Sequence, residues 1–452
     1  MTTSTTTTAD KILLDVVEPG LAQAFNDEVM VLDLATRKKK DYKGRKILFD
    51  VKLSPGGGVG ARSEAISGVA PGLPAPGAPV HVNGTVYHKR IYGVLELTHD
   101  FIETSKGDKA AFAEGLADEL TSKLTRMQKH ANFMLLGDGR DILCTVATDG
   151  GGTFKKESGE TLQVTVDTTR YLQPNDRVAL WTSNSESSTV VADGGQSDTL
   201  GTLDSESVYV SSVDSDTTFT LKRDRLTTGD CTVANANVVR MFYETEYNSG
   251  TLIHNGMAGL RLIADDGTLA TSFEGLSRTT YPQWKGGVVA ASSLTEGTTL
   301  SKNHFLKLAH RVHRRGGDDI DTFIMDPTLM REFLVITDND IRYAPVTEKD
   351  PGYKEGSLHI TIGKRQVELL MDWDCPYGVL HGFKRSDLEY WELTPLSLDN
   401  NGGAVLKQAK PYTDTGAGDI YYAFMRMKGN IATKKPWNFG CITGLSYSAE
   451  TA

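Results

Sequence analysis

Between Ala110 and Leu136, apolar side chains recur at steps of three and four: Phe112, Leu116, Leu120, Leu124, Met127, Ala131, Met134 and Leu135. That spacing draws one stripe along a helix of about seven turns, with Glu114, Asp118, Lys123, Arg126 and Lys129 on the other side. Gly137-Asp138-Gly139 supplies the left-handed stop. A helix this long cannot bury its stripe on itself, so a broad apolar surface elsewhere in the chain must receive it. At 452 residues the chain exceeds one ordinary core, and two or three domains are expected.

The rest of the chain supplies strands. Ile47–Leu53 runs into Ser54-Pro55-Gly56-Gly57-Gly58-Val59-Gly60, and the β-rich stretch Val86–Leu97 reads as the return arm of a long two-stranded loop over 61–92. No Gly-Lys-Ser/Thr follows the glycines, and Pro71, Pro74, Pro76 and Pro79 disfavour a helix there, so a flexible, extended excursion is expected rather than a phosphate cradle. Ahead of this, Phe25, Val29 and Leu32 place a short helix over 21–34, while the threonine-rich first ten residues have nothing to bury and are expected to be disordered.

From Asp149 to Glu246 the composition turns to Ser, Thr, Asp and Gly. Sixteen acidic against eight basic residues there hold −8 of the chain's −10 charge. Short β-like runs at 162–166, 177–181, 207–213, 217–221 and 238–243, spaced by turns such as Gln173-Pro174-Asn175-Asp176, read as an inserted all-β domain over 149–247. After it, an amphipathic helix is expected over 302–314 with Phe305, Leu308, Ala309 and Val312 inward. A strand at 322–325 leads to Asp326-Pro327, a cap and first helical residue, and a helix over 328–336. Strands follow at 358–362, 367–371, 378–383, 388–392, 404–407, 421–427 and 439–446. The class is α+β.

Chemistry is sparse. Cys144, Cys231, Cys375 and Cys441 form no CxxC pair, which points to reduced structural thiols. His304, His310 and His313 share one helix without an HExxH pattern and are expected at or near the surface. Asp318-Asp319-Ile320-Asp321 and Asp338-Asn339-Asp340 lack the glycine and glutamate of a calcium loop. The polar opening Met1-Thr2-Thr3-Ser4 is no leader, and no apolar run reaches ~20 residues, so a soluble, cytoplasmically made protein without metal or cofactor is expected. The single basic run is Arg37, Lys38, Lys39, Lys40, Lys43, Arg45 and Lys46, read as a solvated segment or as a contact for a polyanion.

Several of these segments, in this order, resemble the major capsid proteins of tailed bacteriophages. Gly60-Ala61-Arg62-Ser63-Glu64 and Lys89-Arg90-Ile91-Tyr92-Gly93 resemble the family's extended loop and its return. Leu95-Glu96-Leu97-Thr98 resembles the entry to its spine helix. Gly275-Leu276-Ser277-Arg278 with Tyr281-Pro282-Gln283-Trp284 is similar to a segment many members carry. Asp326-Pro327 before Arg331-Glu332-Phe333, and Asp374-Cys375-Pro376-Tyr377-Gly378, resemble the helix and late turn of its axial domain. The likeness covers about 40–148 and 250–450; the β-rich insertion departs from the minimal plan.

The resemblance implies an N-terminal arm (1–48), extended loop (49–97), spine helix and peripheral domain (98–148), the insertion (149–247), a junction (248–295), an axial domain (296–403) and a return to the peripheral domain (404–452). It implies a non-enzymatic coat subunit assembling into hexamers and pentamers of an icosahedral virion shell around double-stranded DNA, built in a bacterial cytoplasm. Scaffolding, portal and decoration proteins are the implied partners, with no membrane. The basic run Arg37–Lys46 would face DNA, and Arg62, Glu64, Lys89 and Arg90 would make contacts between subunits. An encapsulin-type nanocompartment shell shares the implied fold, and a secreted β-rich binding protein is the reading from a different class.

Overall fold

Val29, Val31 and Leu32 have no exposed surface, and they open a short helix, α1 (Met30–Leu34), that passes straight into strand β1 (Thr36–Lys39). The computed structural model describes residues 29–39, 46–54, 56–60, 75–98, 109–147, 150–154, 161–181, 208–223, 231–241, 256–338, 358–362, 365–398, 407–408 and 420–446. The threonine-rich tail and residues 21–28 of the expected first helix lie outside them. Residues 1–48 were expected to form an arm. Residues 29–35 are instead core, because the apolar positions Val29, Val31, Leu32 and Leu34 face inward together.

Strict alternation then makes a hairpin. In β2 (Lys46–Ser54) every second residue is buried, and it pairs antiparallel with β3 (Val80–Tyr87) from Lys46↔Tyr87 to Ser54↔Val80. The return arm expected as one piece over 86–97 is two strands. The ladder with β2 ends at Tyr87, and from Lys89 a new strand, β4 (Lys89–Thr98), pairs elsewhere. The amphipathic stripe forms one helix, α2 (Lys109–Leu136). Leu120, Met127, Ala131, Met134 and Leu135 are buried in the core, with Leu124 packed against it, while Glu119 and Lys129 are exposed. The helix approaches β4 so closely that a Cβ at Gly93 would run into the Met127 sulfur.

The chain forms two compact units, Gly137–Gly256 on the one hand and Met1–Leu136 with Met257–Ala452 on the other. The former contains β5 (Ile142–Thr145), β6 (Gly152–Phe154), β7 (Thr161–Thr165), β8 (Val178–Trp181), β9 (Val208–Val213), β10 (Thr218–Arg223), β11 (Cys231–Val233) and β12 (Val238–Met241). They make three small sheets, ordered β5-β12-β8, β7-β10-β9 and β11-β6. The sequence reading began this unit at 149; pairing of β5 with β12 draws Ile142–Thr145 into it. Val164, Val210, Phe219 and Leu221 are fully buried, as expected of strands with one inward face. Asn175 takes the left-handed backbone (φ 69°) in the Gln173–Asp176 turn, where the Asp176 carboxylate accepts the Gln173 N–H at 2.9 Å.

The larger unit continues with α3 (Leu260–Ile263), β13 (Ser272–Phe273), β14 (Leu276–Ser277), β15 (Gly287–Ala290), α4 (Lys302–Arg314), β16 (Thr322–Met325), α5 (Pro327–Asp338), β17 (Leu358–Ile362), β18 (Arg365–Met371), β19 (Leu380–Phe383), β20 (Glu389–Leu398), β21 (Lys407–Gln408), β22 (Ile420–Ala432) and β23 (Phe439–Thr443). Its mixed sheet runs β15-β23-β19-β16-β18-β17. Phe305, Leu308 and Val312 of α4 pack on it with Leu329 and Phe333 of α5, and Phe305 meets Phe323 and Phe333 edge-on at 5.2 Å each. Burying one such phenylalanine contributes about 1.5–3 kcal/mol. Asp326 caps α5 as expected, its carboxylate accepting the N–H of Thr328 (2.7 Å) and of Leu329 (3.2 Å).

A second sheet gathers the distant parts of this unit. β20 pairs antiparallel with β22, β22 with β4, and β1 joins β20 in parallel at Thr36↔Glu389. The stripe of α2 packs against β4 of this sheet. Near its other end Asn132, itself buried, donates its amide to Asp372 (3.0 and 2.8 Å) and Asp374 (3.1 Å), tying α2 to the turn that follows β18.

Candidate functional site

The β2–β3 hairpin has a dry face and a bare one. Ile47, Phe49, Val51 and Val86 are buried; on the strands' outward positions Leu48 is 60% exposed and Tyr87 is exposed too, and Val80, at the start of β3 in the same row as Val82 and Gly84, is also exposed. Gly84 belongs to the dry face, because a Cβ there would overlap the Phe49 ring. Farther out, residues 56–60 and 75–79 run against each other, with Gly57 and Gly77 in contact. The sheet face carrying β4 is bare in the same way. Ile91 and Leu95 point into the core, whereas Tyr92 and Val94 are 52% and 45% exposed beside Arg426 and Phe424 of β22.

A knot of buried polar groups holds the base of the hairpin. Thr85 donates its N–H to the Glu274 carbonyl at 2.7 Å, and Asn430 donates its amide to the Tyr87 carbonyl at 2.9 Å. Glu274 sits in the turn between β13 and β14. Its side chain accepts the Thr433 N–H (3.0 Å), and burial pushes its carboxyl well above the usual carboxylate range, despite that hydrogen bond and the nearby Arg278. Arg278 pairs with Asp265, and Trp284, fully buried, donates Nε1–H to the Phe273 carbonyl at 3.0 Å. The β13–β14 turn at Glu274–Gly275, together with Asn430, is therefore the seat on which the hairpin is mounted.

The basic run does not stay together. Arg37 and Lys38 are exposed on β1, where alternation turns them to opposite faces; Lys39 ends that strand, and Lys38 lies 3.8 Å from Glu389. Lys46 is exposed at the start of β2, and Lys40, Lys43 and Arg45 lie outside the described residues, as do Arg62 and Glu64. Lys89 and Arg90, assigned to the loop by sequence, sit instead in β4 opposite Gly429 and Lys428, because the ladder passes to β22 at that point. Arg90 reaches the Tyr92 hydroxyl at 3.4 Å.

The histidines divide. His304, expected at or near the surface, is fully buried, since it serves as a capping partner: the Ser301 N–H donates to its Nδ1 at 3.1 Å. His310 and His313 are exposed, the latter 3.7 Å from Asp319. Asp318 accepts Lys384 at 2.9 Å and Asp319 lies 3.3 Å from Arg365, so these acids are spent on ion pairs. Burial lowers His381 to about 3, and burial raises the Cys441 thiol to about 11; neither faces solvent. Among the described residues, no group of three His, Cys, Asp or Glu side chains is placed to hold a metal, and no helix is long and apolar enough to cross a membrane.

One surface escaped the sequence reading. Helix α4 was read for its apolar stripe and histidines, yet Lys307, Arg311 and Arg314 follow at steps of four and three and line one wall of a groove of about 530 Å³. Their spacing was legible; the opposite wall, from β15, was not.

No family model matches the chain, and no curated protein matches it. Among solved structures it is similar to the capsid asymmetric unit of cyanophage A-1(L), at 10% identity and a TM-score of 0.47, covering 92% of this chain and 93% of that one. It is similar to the capsid of a native GTA particle, at 8% identity and a TM-score of 0.41, over 93% and 91% of the two chains. The third is a Mycobacterium phage Adephagia chain, at 9% identity and a TM-score of 0.41, over 91% and 89%.

Proposed function

We propose that the chain is a structural, shell-forming subunit of the capsid type that assembles with copies of itself. The observation that supports this most is the bare apolar surface on elements that project from or edge the larger unit: Leu48, Val80 and Tyr87 on the hairpin, Tyr92 and Val94 on the outer face of β4. Exposed apolar side chains gathered on neighbouring strands mark surfaces that partners cover. Here two neighbouring elements, the hairpin and β4, present them, and contacts repeated by symmetry would cover every copy alike. The sequence resemblance to tailed-phage coat proteins gives the finer reading. It comprises hexamers and pentamers of an icosahedral head around double-stranded DNA, with the acidic unit Gly137–Gly256 outward and scaffolding, portal and decoration proteins as further partners.

The test is electron microscopy and analytical sedimentation of the purified full chain across a concentration series. Closed particles or ring-shaped oligomers are expected, and Leu48→Asp with Tyr92→Asp should leave a folded chain that no longer forms them. A wild-type chain that stays monomeric at high concentration would overturn the reading.

A further inference from the structure

Between residues 302 and 314 the chain holds Lys302, Lys307, Arg311 and Arg314 and no Asp or Glu. Because Phe305, Leu308 and Val312 are fully buried, the helix turns its cations outward. His310, Arg311 and Arg314 form one wall of the 530 Å³ groove; Val288 and Val289 of β15, with Leu294, form the other. Lys307, also at the groove, is ion-paired with Glu296. His310, Arg311 and Arg314 make no hydrogen bond or ion pair with any described residue. Arg315 follows at once, donating to the Gly286 carbonyl. Burial first, and then the like charge of Arg311, lower its pKa, so positive charge is crowded here.

The groove also lies along an open strand edge. β15 is outermost in its sheet, paired in parallel with β23 on one side and, among the described residues, with no strand on the other. An apolar wall, unpaired guanidinium groups and a free strand edge together select an extended peptide segment that mixes apolar and acidic side chains. A nucleic-acid backbone would meet the arginines but gain nothing from Val288, Val289 and Leu294. This chain contains a segment of the required chemistry: Leu13-Leu14-Asp15-Val16-Val17-Glu18, within a stretch from Asp10 to Glu28 that has five carboxylates and one lysine. That stretch leads to Val29, which is buried in the core, and on to β1, which joins β20 in the other sheet and not β15.

We propose that the groove between β15 and α4 is the docking site for the acidic, apolar segment Asp10–Glu28 of a second copy of this chain. Carboxylates such as Asp15 and Glu18 meet Arg311 and Arg314, and Val16 or Leu14 covers Val288 and Val289. The proposal rests on the self-assembly reading and gives that assembly a specific contact and a direction, from the leading segment of one copy to the basic groove of the next.

Two full-length variants, Val289→Cys and Val16→Cys, are mixed under mild oxidation, with each alone as control for the native cysteines. A mixed disulfide dimer is expected only when both are present. Arg311→Glu with Arg314→Glu on the Val289→Cys chain should reduce it at least tenfold, and Asp15→Arg with Glu18→Arg on the other chain should restore it. Because Arg311 and Arg314 are exposed, rescue separates lost docking from lost folding. Three results would each overturn the proposal: no cross-link, a cross-link indifferent to the charge reversals, or a purely intramolecular link when Val16→Cys and Val289→Cys are placed in one chain. Competition by short duplex DNA, but not by a peptide of residues 10–28, would also overturn it and reassign the groove to a polyanion. Sedimentation run in parallel keeps the two readings apart. Particles without the cross-link remove this docking alone, whereas a chain that stays monomeric removes both.

Discussion

Arg278 Nη1 lies 3.0 Å from Asp265 Oδ2 with both side chains wholly out of solvent. Further bonds hold both partners: Asp265 also accepts the N–H groups of Gly267, Leu269 and Ala270, and Arg278 donates to the carbonyls of Leu262 and Ala270 and stacks over Phe273. Removing one partner strands the other without water. Arg278→Met is expected to cost about 3–5 kcal/mol in a denaturant titration of unassembled chain. A loss under about 1 kcal/mol would mean that the network is dispensable to the hairpin seat.

Leu120 and Lys123 test the face of α2. Leu120 is 5% exposed within the main core, so Leu120→Ala is expected to cost about 2–5 kcal/mol through lost transfer energy and a residual cavity. Lys123, half-buried on the polar side, should lose no more than about 0.5 kcal/mol on truncation to alanine. The reverse ranking by the same titration would place the helix the wrong way round.

Glu274 makes stability pH-dependent in a definite direction. In the unfolded chain its carboxyl ionises near 4.5, while burial keeps it protonated to higher pH in the fold. The folded state therefore binds the extra proton, and its contribution, complete below about pH 4.5, declines as pH rises toward the folded pKa. Glu274→Gln, which keeps the acceptor for Thr433, should flatten that decline. Thermal melts of both proteins from about pH 4 to about pH 8 decide it; superimposable pH profiles would show that Glu274 does not carry the effect.

Truncation separates the buried turn from the residues before it. Deleting 1–28 should leave a cooperatively folding chain. Deleting 1–35 removes Val29, Val31, Leu32 and Leu34 from the core, each worth about 1.5–3 kcal/mol, and should abolish the cooperative transition followed by circular dichroism. Equal melts for the two truncations would count against α1 as core.

Elements with a strong local pattern were legible from sequence. Lys302–Arg314 and Thr322–Met325 fall where periodicity and β-branching put them, and Asp326 caps the helix that Pro327 begins. Three residues of Gly152–Phe154 or Cys231–Val233 carry no such pattern; they are strands only because they find each other. The break at His88 was equally hidden, since a β-rich run does not say which partner each half takes. The groove failed for a like reason: its basic wall is local to α4, but its apolar wall comes from β15.

The pairing of Thr36 with Glu389, and of β4 with β22, sets an order of events during synthesis. β1 has no partner until β20 has been made, and β4 none until β22 has been made, so the sheet that receives α2 cannot close while the ribosome is still working through the middle of the message. Through that interval Ile91, Leu95 and the stripe of α2 can cover one another but lack the later strands that complete their core. Any surface built on β4 comes into being only afterwards. Nascent chains on one message are thus barred from premature association through that face, and competence to associate becomes a late property of a finished polypeptide.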